Sequence, residues 1–177
     1  MRQVKRSRGC RRYNPAVAGW DQDGADQQTG KQPLGRGSGS QGRLLGLDVG
    51  LRRIGMAVSD PLGITAQGIE TLQRKNKRTD LAAFERILRE RSVREIVVGH
   101  PLRMSGQEGS QAEKVRAFAD LLAHTFKIPV HLWDERLTSV EANRVLRESE
   151  ISIEKRGKAV DQLAAVLILQ SYMDSQR

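Results

Sequence analysis

Four acids stand where a fold could put them to chemical use. Leu44-Leu45-Gly46-Leu47-Asp48-Val49-Gly50 is an apolar, strand-forming run that ends on a carboxylate between two glycines. A buried strand carries no charge in its middle, so an acid at its carboxyl end is either a turn residue or a ligand for something positive. Val130 to Trp133 is a second such run, and it ends on Asp134-Glu135. Asp161 opens a last helical stretch, beside a stripe formed by Val160, Leu163, Ala164, Leu167 and Ile168. Carboxylates brought together raise one another's pKa unless a cation separates them. Hard oxygen donors of this kind suit Mg²⁺ or Mn²⁺, with waters completing the octahedron. Two such ions hydrolyse phosphodiesters, one generating hydroxide and the other stabilising the leaving oxygen.

The elements that must position these acids begin at Arg43. Leu44 to Val49 is a first strand, Ile54 to Ser59 a second with one heavier face, and Gly50 to Arg53 the turn between them. Asp60-Pro61-Leu62-Gly63 is a further turn signal, and Ile64 to Leu72 a third strand. A helix follows that Thr79 or Asp80 can cap, with Leu81, Phe84, Ile87 and Leu88 on one face. Glu95 to Gly99 is a fourth strand, and His100 to Gly109 a loop carrying Arg103. Ser110 with Glu113 reads as a capping box for a second helix through Phe126, and Pro129 precedes the fifth strand. Thr138 with Glu141 reads as another capping box, for a helix to about Arg147, and a last helix runs from about Ala159 to Met173. An antiparallel meander followed by strands alternating with helices describes an α/β fold: a mixed five-stranded sheet whose later strands run parallel, flanked by helices. Sites in such sheets form beyond the carboxyl ends of the strands, where Asp48 and Asp134-Glu135 fall.

Residues 1–42 read as a disordered basic tail before a domain at 43–177. They hold eight Lys or Arg against three Asp, and their apolar residues have no period, so they cannot offset the entropy of ordering. An RNA-contacting arm, a Ser-poor transit peptide and a translation start nearer Arg43 all stay open as accounts of this segment. The net charge of +9 suits a phosphate-rich partner or solubility alone. No run of eighteen apolar residues and no secretory h-region is present, and Cys10 is the single cysteine. The expectation is a soluble cytoplasmic protein without a disulfide.

Four motifs in order carry a resemblance: Gly46-Leu47-Asp48-Val49-Gly50 with Arg53-Ile54-Gly55; Val98-Gly99-His100-Pro101-Leu102 with Gly106; Asp134 to Ser139; and Asp161 with Ala164-Ala165. From Arg43 onward the chain resembles the YqgF family, also called RuvX-like. The resemblance implies an RNase H-like fold related to Holliday-junction resolvases, and a nuclease trimming the 5′ end of pre-16S ribosomal RNA. It implies Asp48, Glu135 and Asp161 as metal-binding acids, with Asp134 as helper. Arg53, Arg74, Lys75 and Arg103 are the cations expected against substrate. His100 departs from the family, which has an apolar residue there, and reads as a structural histidine.

Two rivals remain. An actin-like ATPase or sugar kinase also uses an Asp-x-Gly hairpin, but it closes two lobes and this chain builds one. A non-catalytic ribosome-assembly factor would keep the fold without cleavage, and branched DNA is an alternative substrate to RNA.

Overall fold

The computed structural model describes residues 10–12, 42–103, 105–137 and 153–177. Strands β1 (Cys10–Arg12), β2 (Arg43–Val49), β3 (Arg53–Ser59), β4 (Ala66–Gln73), β5 (Val93–His100) and β6 (Val130–Asp134) form one sheet in the order β1-β6-β5-β2-β3-β4. Helices α1 (Lys77–Glu90) and α2 (Ser110–Phe126) precede β5 and β6, and α3 (Ile153–Ser175) ends the chain. Antiparallel pairing of β2, β3 and β4 makes the meander, while β2, β5 and β6 run parallel. This is the mixed, helix-flanked RNase H-like arrangement that the sequence predicts. The addition is β1, three residues of the segment expected as a tail, which pair antiparallel with β6. An open β6 edge offers unpaired backbone groups, and any extended segment can take them without an apolar pattern of its own.

The two faces of the sheet are built differently. On one, Leu45, Leu47, Ile54, Met56, Ile96 and Val98 pack against Phe84, Leu122 and their neighbours on α1 and α2. On the other, Leu44, Ala57, Val97 and Trp133 meet Ala165, Ile168, Leu169 and Tyr172 of α3. Strand side chains alternate between faces, so Gly46, Gly55 and Gly99 also fall on the α3 side. A Cβ on Gly46 would lie 2.7 Å from the Leu169 Cβ, and one on Gly55 would overlap the Asp161 carbonyl. These glycines let the helix backbone approach the sheet, and Gln170 fixes it laterally by accepting from Ala66 N at 3.0 Å.

Two expected caps differ. α1 is capped by Asn76, whose side chain accepts from Thr79 N at 2.9 Å. Asp80 is instead buried and turns back to accept from Lys75 N at 3.0 Å. α2 is capped by Gly109 with no side-chain bond, because Ser110 already lies inside the helix. The helix expected from Thr138 to Arg147 lies outside the described residues.

Candidate active site at the carboxyl ends of the central strands

Asp48 is the penultimate residue of β2 and lies opposite Gly55 in the ladder. Counting from Leu44, the pleat turns it toward α3. The same Gly55 is where the Asp161 backbone seats, so one missing side chain brings the first turn of packed α3 beside the end of β2. Gly99, on β5, does the equivalent for the third acid: a Cβ there would meet the Glu135 carboxylate and the Ile168 methyl. Glu135 itself opens a single 3₁₀ turn directly after β6. Asp48, Glu135 and Asp161 therefore gather on one face at one end of the sheet.

Their electrostatics show how near they are. Burial pushes the Asp48 carboxyl up to about 6, and the charge of Asp161 adds to it. Burial likewise pushes Glu135 up to about 7, with further contributions from the charges of Asp48 and Asp134. Asp48 is thus a neighbour of both other acids. Asp161 Oδ2 lies 2.7 Å from Arg53 Nε, close enough for an ion pair. The N–H is not aligned with it, and that buried oxygen is left without a hydrogen bond.

Asp134 behaves otherwise. Trp133 packs toward α3, so the pleat sends Asp134 to the opposite face, where its ladder partner is His100. Burial would raise its pKa, but hydrogen bonds from Arg136 and the charges of Arg136 and His100 outweigh this and hold it below the usual range. Arg136 grips it with Nε at 3.0 Å from both oxygens and NH2 at 2.6 Å from Oδ2.

The expected substrate cations divide in the same way. Arg53 is on the α3 side with Asp161. Arg74 and Lys75 lie across the β2–β3 turn, where Arg74 donates to Gly50 O at 3.1 Å. Arg103 is exposed on the loop after β5, its guanidinium beside Gly109. That loop is held by features the sequence reading missed. His100, 6% exposed, shares a hydrogen bond with Glu108 at 3.2 Å, and Arg116 of α2 pairs with Glu108 at 2.9 Å. Gln111 donates to Val49 O at 3.3 Å, tying α2 to the strand that carries Asp48. An acid two residues before a helix whose second turn carries Arg116 was the available signal.

Among the described residues no group of three or more His, Cys, Asp or Glu is gathered tightly enough to cage one ion. The donor chemistry nevertheless fits a hard divalent cation. Two carboxylates are kept from ionising by burial and by each other, and Asp161 presents an oxygen without a hydrogen bond. Among the described residues no helix is long and apolar enough to cross a membrane.

Residues 42–175 match the family model described as RuvX: Holliday junction resolvase. A Koribacter versatilis protein, named a candidate pre-16S rRNA nuclease, is 65% identical over 137 residues, spanning 77% of this chain and 90% of the relative. A Moorella thermoacetica protein of the same name is 52% identical over 132 residues, 75% of this chain and 94% of the relative. Among solved structures, Thermus thermophilus RuvC in complex with a Holliday junction substrate aligns over 76% of this chain and 95% of its own, at 16% identity and a TM-score of 0.48.

Proposed function

The chain belongs to the RuvX family, and from that premise we propose that it is a divalent-metal-dependent nuclease, cytoplasmic, acting at the 5′ end of pre-16S ribosomal RNA. The nuclease unit is residues 43–177. The observation that carries the reading is the pair of buried acids, Asp48 and Glu135, whose proton affinity is raised where Asp161 packs against Gly55. Buried carboxylates facing each other are costly unless a cation joins them, and a phosphodiesterase of this kind needs one. Asp48, Glu135 and Asp161 would hold Mg²⁺ or Mn²⁺, which when bound activates water and offsets charge on the leaving oxygen.

The chain's own residues do the rest. Arg53 neutralises Asp161 and can move to a phosphate when that acid is otherwise engaged. Arg74, Lys75 and Arg103 border the same end of the sheet and supply phosphate contacts that fix register. Asp134 acts through Arg136, setting the turn that presents Glu135. The family description favours a second substrate, the four-way DNA junction. Purified protein is incubated with pre-16S RNA, single-stranded RNA or a four-way junction, each with Mn²⁺, Mg²⁺ or EDTA. Cleavage of pre-16S RNA that needs metal is the expected result, and preferential cleavage of the junction would move the assignment to DNA. Equal, EDTA-insensitive activity in wild type and Asp48→Asn would leave only the assembly-factor reading.

A further inference from the structure

The turn that follows Asp48 has a second side. Across it from the acids lies an open groove of about 460 Å³, lined by Leu51 of the turn, Arg74, Lys75 and Lys77 of the β4–α1 connection, and Leu81 and Phe118 of the two helices. That volume lies in the range of about 300–1,000 Å³ typical of ligand pockets. Its wall is fixed in place. Arg74 N donates to Arg52 O at 3.0 Å, and the Arg74 guanidinium donates to Gly50 O at 3.1 Å while lying 5.3 Å from the centroid of the Phe118 ring. The groove is therefore clasped to the turn that starts two residues after Asp48.

Two kinds of surface meet in it. Leu51 is 72% exposed, a large apolar side chain at the mouth, and the Phe118-backed guanidinium adds a planar cation. Lys75 and Lys77 supply ammonium groups at the rim. The lining acid, Asp80, is buried and committed to Lys75 N at 3.0 Å, with Arg74 Nε 3.8 Å away. A flat apolar and guanidinium surface beside ammonium groups is what an unpaired nucleotide requires: a plane for the base and cations for the phosphate. A base held inside a duplex cannot reach such a plane.

We propose that this groove seats an unpaired nucleotide of the substrate strand, base on Leu51 and Arg74 and phosphate at Lys75 and Lys77, so that single-stranded nucleic acid is selected beside the cleavage site. The proposal rests on the nuclease reading and names its substrate class.

The test uses the full chain in EDTA, so that binding is read without cleavage. Two RNA probes are compared, a single strand and a blunt duplex, with 2-aminopurine walked along the single strand. Wild type should bind the single strand at least tenfold more tightly, with one or two 2-aminopurine positions quenched. Leu51→Ser, at an exposed position, should abolish that quenching and weaken single-strand binding about tenfold while duplex binding changes less than twofold. The Lys75→Ala/Lys77→Ala pair should lower the salt slope for the single strand by about 1.4, at roughly 0.7 for each lost phosphate contact. If Leu51→Ser affects both probes equally, or neither, while metal-dependent cleavage of pre-16S RNA persists, the groove proposal is overturned and the nuclease reading stands. Groove-dependent single-strand binding by a protein that never cleaves would support the groove and remove the nuclease reading.

Discussion

The two faces of this sheet are made from the same strands and solve opposite problems. Toward α1 and α2 every inward position is filled by a large aliphatic or aromatic side chain, and Leu45, Leu47, Ile54, Ile96 and Leu122 are fully buried. Toward α3, near the carboxyl ends, three positions are glycine, and the space goes to a helix backbone and to carboxylates. The first face excludes water by volume. The second gives up side-chain burial to place charged groups where their ionisation is opposed, a cost an enzyme bears at its site rather than in its core.

The largest expected effect separates the faces by function. Asp48→Asn and Glu135→Gln should each lower kcat by about a thousandfold, as expected when charge stabilisation at the reacting phosphate is lost, with no fall in thermal midpoint. Leu47→Ala, one residue away but on the other face, should do the reverse. It should cost about 3 kcal/mol in urea unfolding and leave kcat per folded molecule unchanged. Comparable kcat losses in both would mean the faces are not functionally distinct.

Gly55→Ala joins the two behaviours. The added methyl overlaps the Asp161 carbonyl, so α3 must shift, at about 2–3 kcal/mol, and Asp161 moves with it. Stability and cleavage should fall together; a variant with wild-type values in both would show that α3 does not need this contact.

A smaller effect is read in pH. Asp48 and Glu135 have folded pKa values near 6 and 7, above their ordinary 3.8 and 4.5. The folded state therefore binds these protons more tightly than the unfolded chain. Their contribution is fully present below about pH 4, is lost as pH rises through 6 and 7, and then levels off. Metal-free protein should lose stability on the order of 2 kcal/mol per acid across that window. Asp134, held low by Arg136, has the opposite sign and is lost only as the pH falls through its lowered pKa. Urea midpoints in EDTA from pH 4 to 8 measure this, and the double variant Asp48→Asn/Glu135→Gln should flatten the curve. A wild-type curve already flat would contradict the burial of the pair.

The smallest test belongs to the aliphatic face. Asn76→Ala removes the cap of α1 and should cost about 1 kcal/mol. Cleavage should be unaffected, and a large kcat loss would tie the α1 terminus to the chemistry directly.

What the sequence determined by itself was local. Alternation and apolar runs set the five strands of the RNase H-like sheet, and acids at strand ends marked where charge had to be used. Cap assignment was less legible. Thr79-Asp80 and Ser110 look like caps by type, but which residue leaves helical geometry depends on where the preceding chain arrives, and that is set by packing. β1 was invisible because its pairing groups are backbone groups and its stability is supplied by the edge of β6.

The choice between Asp134 and Glu135 was also beyond the sequence reading. The two are adjacent and alike, and only the packing of Trp133 on α3 says which face each one joins. Asp161 needed still more. It lies over a hundred residues from Asp48, and the contact exists because a helix backbone fits where Gly55 has no side chain. A sequence specifies the glycine and the acid separately. Their juxtaposition is a property of shape, and only the packed structure has one.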